Sequence, residues 1–148
     1  LHVRAMAPAT SFHLVVGVRG SHGGTGIRVR EVAALHASIP EVVDAAMQTL
    51  GAAARTGGRA LVAGELARAG SAMNLAHGVL AGLGLVSDEV EQLTRLARRC
   101  GALGAKMTGA GGGGGAFYAL APDWATGLAI QHALEAAGAR AWIETAGH

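Results

Sequence analysis

Six of the seven residues from 109 to 115 are glycine, and the seventh, Ala110, carries only a methyl group. A glycine at an ordered position costs roughly 0.5–1 kcal/mol relative to alanine. Six of them put a few kcal/mol at risk, against the ~5–15 kcal/mol that holds a typical domain. The run therefore belongs in a loop, and a loop kept this bare needs something that only exposed backbone provides. Two properties qualify: φ > 0 conformations, and close approach of N–H groups to a bulky anion. Successive N–H groups turned inward form a concave nest whose usual guest is phosphate. The expectation is a phosphate-handling loop; the alternative is a flexible hairpin turn in a chain that holds 24 glycines. Lys106, the sole lysine, and Thr108 stand directly before the run.

The rest of the chain must supply a frame for that loop. At 148 residues it is long enough for a real core. Hydrophobic residues make up 51% and aromatics 3%, so the core is built from Ala, Leu and Val. Residues 1–6 alternate apolar and polar, and residues 12–18 form a β-branched apolar run; both read as strands, joined by a turn at 8–11. A second glycine-rich loop, 19–26, follows directly. From Thr25 the period is helical, with Val29, Val32, Ala33 and His36 on one face. Pro40 suits the first position of a long helix, with Glu41 near its positive end. Gly57-Gly58 marks a candidate interruption. Residues 65–83 form another helix, ended by Gly84, and Asp88 with Glu91 forms a capping-box pattern for a helix to Arg99. Strands follow at 102–108 and 115–120, then a helix opened by Pro122-Asp123 and ended by Gly138, then a strand at 139–145. The order predicts a single α+β domain: a mainly antiparallel sheet with helices on one face, close to a ferredoxin-like split βαβ with a helical insertion.

Composition excludes several classes. The formal charge is +2, and eleven arginines are scattered without a long stripe or an aromatic platform, so no nucleic-acid partner is expected. Cys100 is alone, which excludes a disulfide framework and suits a reducing cytosol. The seven histidines are too dispersed to suggest a metal site. Apolar runs fall far short of the ~20 residues that span a bilayer, so no membrane partner and a cytoplasmic location are expected. The first residues, Leu1-His2-Val3-Arg4, carry no signal-peptide pattern and no initiator Met, which suits a piece of a longer protein.

Gly109-x-Gly111-x-x-Gly114 formally matches the dinucleotide fingerprint, but that motif requires a helix straight after the loop. Here Ala116-Phe117-Tyr118-Ala119-Leu120 reads as a strand. A Walker A loop fails as well, since Gly114 is followed by Gly and Ala rather than by Lys and Ser/Thr. A glycine loop between two strands, written Lys106-Met107-Thr108-Gly109-Ala110-Gly111-Gly112-Gly113-Gly114, closely resembles the third motif of the GHMP small-molecule kinases, and most closely that of the mevalonate kinases. Leu14-Val15-Val16-Gly17 with Gly20-Ser21-x-Gly23-x-Thr25 is similar to a strand and loop of that family's C-terminal half. Met73-Asn74-Leu75 with Gly78 to Gly84 is similar to its M-N-x-x-x-G-L-L-x-x-L-G helix.

The resemblance implies a GHMP kinase C-terminal domain over residues 1–148, without the N-terminal ATP-binding domain. The P-x-x-x-G-L-G-S-S-A-type ATP loop does not occur in this sequence, and the family's catalytic aspartate and Mg2+ ligands belong to that other half. No catalytic residue is expected here: the carboxylates read as helix starts (Asp88, Asp123), first turns (Glu41, Glu65) and helix surfaces (Glu89, Glu91, Glu135). The implied function is ATP-dependent phosphorylation of a small alcohol, mevalonate in isoprenoid precursor synthesis, with ATP and Mg2+ as cofactors. The chain alone is expected to be inactive. Gly109, Ala110, Gly111, Gly112, Gly113 and Gly114, with Lys106 and Thr108, would form the phosphate loop, and Ser21 and Thr25 would meet the acceptor. Thr25 equally suits a helix N-cap. Arg19 departs from the small or polar residue common at its site, and Asn74 with His77 reads as a packed polar pair. Expected partners are the missing kinase domain or a complementary chain, with a homodimer through exposed apolar surface also open. The competing readings are a stand-alone ferredoxin-like ligand-binding or regulatory module, and a sister phosphomevalonate or sugar kinase.

Overall fold

A computed structural model describes residues 7–20, 24–109 and 114–147. The predicted strand at 1–6 lies outside them. Nine elements follow in order: β1 (Phe12–Arg19), α1 (Thr25–Ser38), α2 (Pro40–Val62), α3 (Leu66–Gly82), α4 (Asp88–Arg99), β2 (Gly104–Thr108), β3 (Gly115–Ala121), α5 (Trp124–Ala136) and β4 (Arg140–Ala146). The strands form one sheet in the order β2-β3-β1-β4, every neighbouring pair antiparallel. This is the split βαβ arrangement of an α+β domain, with α1–α4 occupying the first crossover.

Register fixes which side chains share a face. Val15 stands opposite Ala119 and Ile143, and Ala105 opposite Ala119. These residues, with Met107, Phe117, Ala121 and Ala141, form one core with Val90, Leu93 and Ala97 of α4 and Ile130 and Leu134 of α5. Alanines on the sheet let both helices approach closely. Phe117 takes the remaining volume by lying over Gly17, its partner across the β1–β3 pair; a Cβ at Gly17 would stand 2.3 Å from the ring. On the opposite face, Phe12 and Leu120 meet Ala60 of α2 and Ala69 of α3 in a second, smaller core.

Pro40 opens α2 at the expected position, and Ile39 before it takes the extended φ of −139° that a following proline favours. Gly57-Gly58 does not interrupt this helix, which runs unbroken to Val62 with Gly57 facing Ala72 of α3; a Cβ at Gly57 would stand 3.5 Å from the Ala72 methyl, an ordinary packing distance. The capping box expected from Asp88 and Glu91 is displaced by one residue. Ser87 is the cap and accepts from Val90 N–H, while Glu91 lies one position too far along and pairs elsewhere. The apolar face expected for α1 is not buried: the helix contributes no buried residue, and Val29 is 63% exposed. The helices α2 to α5 end alike, on a left-handed glycine after the last turn, as in the Gly84 N–H to Ala81 and Leu85 N–H to Leu80 pair that closes α3.

The free edge of β2 is covered by side chains. Asn74 of α3 accepts from Ala105 N–H at 3.0 Å and donates to Leu103 C=O at 3.2 Å. Arg98 of α4 donates to Ala105 C=O at 3.0 Å, His77 accepts from Met107 N–H at 3.2 Å, and Lys106 donates to Met107 C=O at 2.8 Å. Every outward backbone group from Leu103 C=O to Met107 C=O therefore has a partner. α3 comes this close because Gly70 and Gly104 meet backbone to backbone, where a Cβ on either would lie within 2.4 Å of a carbonyl oxygen.

Candidate functional site

The glycine run begins where β2 ends. Gly109 turns the chain out of the sheet with φ +81°, a conformation that side chains resist. Gly114 brings it back in contact with the end of β1: a Cβ there would stand 2.6 Å from Arg19 C=O and 2.7 Å from the Gly20 Cα. The described ends of the two glycine-rich loops, Gly114 and Gly20, thus meet at one end of the sheet. The loops' central residues, Ala110, Gly111, Gly112 and Gly113 in one and Ser21 in the other, lie outside the described residues.

The N-terminus of α1 begins at that end too. Gly24, with φ +91°, is its cap and makes no side-chain cap bond. Thr25 is therefore the first helical residue and not the N-cap, because the left-handed turn before it is one that glycine takes more readily than threonine. Thr25 is exposed there. A helix N-terminus offers unpaired N–H groups and a partial positive charge, both suited to an anion.

Lys106 and Thr108 alternate onto the same face of β2, the one opposite α4 and α5. They line an open cavity of about 640 Å³ with Gly109 and Tyr118, together with Leu61 of α2 and Met73 of α3. The walls are mainly apolar. The Lys106 ammonium donates to Met107 C=O at 2.8 Å and to the Tyr118 hydroxyl at 3.4 Å, and stands 5.1 Å from that ring's centre. Two of its three donors are thus committed, leaving one for the cavity among the described residues.

Other sequence candidates fall elsewhere. Arg19 turns to the other face and donates to Ala137 C=O at 2.6 Å, where it complements the negative end of α5. Asn74 and His77 form the packed polar pair expected, at the β2 edge. Glu91, expected on a helix surface, instead accepts from His77 Nε2–H at 2.8 Å and from Arg95 at 2.7 Å. Burial pushes its carboxyl up, but the bonds from Arg95 and His77 outweigh that and hold it below the ordinary range. The i,i+4 spacing of Glu91 and Arg95 was the available signal; the His77 contact had none. Asp123 caps α5, and the Thr126 N–H holds its carboxyl low. Among the described residues no group of three or more His, Cys, Asp or Glu could hold a metal ion, and no helix is long and apolar enough to cross a membrane.

A family model described as "GHMP kinases C terminal" matches residues 59–140, from the last turn of α2 into β4. The chain belongs to the GHMP kinases. The matched part of this GHMP domain contains Asn74, His77, Lys106 and the glycine run. The chain is 36% identical over 121 residues to a mevalonate kinase of Thermococcus sibiricus, covering 78% of this chain and 36% of that one. With a mevalonate kinase of Aeropyrum pernix it shares 49% identity over 61 residues, 41% of this chain and 19% of that one. The crystal structure of L. major mevalonate kinase in complex with R-mevalonate superposes with a TM-score of 0.90 at 27% identity, over 97% of this chain and 45% of that one. A phosphomevalonate kinase of Streptococcus pneumoniae, at 18% identity and a TM-score of 0.79, shares the fold over 97% of this chain and 42% of its own. The GHMP chain thus spans about a third of the length of the curated relatives it matches.

Proposed function

We propose that this chain is the C-terminal domain of an ATP-dependent kinase that phosphorylates the hydroxyl of mevalonate, and that it works only with an N-terminal ATP-binding domain. The observation that carries the reading is the meeting of two glycine-rich loops and a helix N-terminus at one end of the sheet, with Gly114 against Arg19 and Gly20. Identity of 36% to a mevalonate kinase over most of the chain supports the choice of acceptor.

Phosphoryl transfer asks the protein for positioning and charge stabilisation more than for covalent chemistry. In this reading the backbone amides of Gly109, Ala110, Gly111, Gly112, Gly113 and Gly114 close over the transferring phosphate, or over the loop that holds it. The remaining Lys106 donor adds positive charge from the cavity wall, and Thr108 holds the loop's entry. Ser21 and Thr25, in the facing loop and helix start, meet the acceptor. Mg2+, when bound with ATP, would neutralise charge on the phosphates; in this reading its protein ligands come from the N-terminal domain, as the family resemblance implies.

The test is complementation. The purified chain, an N-terminal GHMP domain carrying the ATP loop, and the two mixed are each assayed for ADP release with mevalonate. Turnover is expected from the mixture alone. Turnover by the chain by itself would refute its dependence on a partner, and a mixture that prefers phosphomevalonate or a sugar would reassign the acceptor.

A further inference from the structure

We propose that His77 is a positioning residue for the glycine loop: as the neutral Nε2–H tautomer, it holds the Met107 N–H with Nδ1 and so fixes the end of β2 from which Thr108 and Gly109 lead into the loop. The inference rests on reading that loop as the phosphate site.

The partners assign the tautomer. Nδ1 faces the Met107 N–H, a donor, at 3.2 Å, so it must present a lone pair. Nε2 faces Glu91 Oε2 at 2.8 Å and the Thr94 hydroxyl oxygen at 3.2 Å. The Thr94 hydroxyl already donates to Glu91 C=O at 3.0 Å, so its lone pair is turned to the ring. Both Nε2 contacts therefore require the ring to donate there. His77 is 3% exposed and bridges three elements, α3, α4 and β2.

Adding a proton to Nδ1 would set two N–H groups against each other and release Met107, one residue from Thr108. The charged groups around the ring are Glu91 and Arg98 from α4 and Lys106 from β2, with Arg95 behind Glu91 and Asp88 on the rim of the same surface pocket. Burial is the main influence and holds the imidazolium form down; Arg98 and Lys106 add to it, while Glu91 opposes them. The anchor is thus set for neutral pH and releases on acidification.

The experiment is ¹⁵N NMR on the whole chain without nucleotide, so it reads the loop whatever ligand the loop takes. A failure here leaves the kinase reading standing, and a failed complementation leaves this result standing. At neutral pH, His77 is expected to show a pyridine-type Nδ1 and a pyrrole-type Nε2. On acidification, the Met107, Thr108 and Gly109 amide signals should move together with the His77 ring. His77→Asn places a carbonyl oxygen where Nδ1 was and does not titrate, so the loop signals should lose their dependence on this pH step while Met107 exchange stays within about threefold of wild type. His77→Gln keeps a donor for Glu91 but removes the acceptor, and should speed Met107 amide exchange at least tenfold. A protonated Nδ1 at neutral pH, loop amides that ignore the His77 titration, or equal Met107 exchange in the two variants would each overturn the proposal. Should either variant fail to fold, the wild-type tautomer and titration decide it alone.

Discussion

Gly70 shows how much of this molecule rests on the absence of a side chain. It lies on α3 against the backbone of Leu103 and Gly104, and a Cβ there would stand 2.4 Å from the Leu103 carbonyl oxygen. Neither backbone segment can give way as a flexible side chain would. Gly70→Ala is expected to push α3 off the β2 edge, stretch the Asn74 bonds, and lower stability by ~1–3 kcal/mol or more, as overpacking does. A urea or thermal melt of the variant against wild type checks this. Lys106 poses a different question, because its ammonium serves the β2 edge, through Met107 C=O, as well as the cavity. Lys106→Met keeps the stem and removes the charge. In the complemented kinase it should lower kcat/KM about tenfold or more, the scale of one charged hydrogen bond at ~1.5–3 kcal/mol; an unchanged kcat/KM would leave Lys106 with its structural duty alone.

Among elements, β2 depends most on its neighbours. It is short and stands at the sheet's edge, where unpaired N–H and C=O groups invite strand-to-strand aggregation. Asn74, His77, Arg98 and Lys106 occupy those groups from three directions. Asn74→Ala should strand the Ala105 N–H and the Leu103 C=O, cost ~1–3 kcal/mol, and raise the aggregation rate in light scattering. By contrast, Ser87→Ala removes only the α4 cap, with an expected loss of ~1 kcal/mol and no change in aggregation. Comparing these two variants separates edge protection from ordinary helix stability. Helix boundaries were legible because proline at the start of α2 and glycine after α3 and α5 act locally. The α4 cap lies at Ser87, one residue before the expected Asp88, because both are good caps and only the path of the chain into the helix selects between them.

At the scale of the molecule, acid is the expected weakness. His77 has its pKa lowered by burial from an ordinary value of 6.5, so the folded state disfavours its protonation. Its contribution is complete above about 6.5 and is lost as pH falls toward the lowered value; Glu91, also lowered, adds a second loss beneath its ordinary 4.5. The thermal midpoint should therefore decline as pH is taken from 7.5 to 5, and His77→Asn should flatten the upper part of that slope, as calorimetry across the range would show. The sequence alone determined the element order, the α+β class and the bare loop between two strands, because glycine, proline and hydrophobic period act through the local backbone. It also carried the family, through a motif whose residues are contiguous. Only the tertiary structure decided that Arg19 serves the end of α5, that His77 meets Glu91, and that Gly114 touches Gly20. Those pairs are 118, 14 and 94 residues apart, and contact over such separations is set by sheet register and helix packing, which no local pattern encodes.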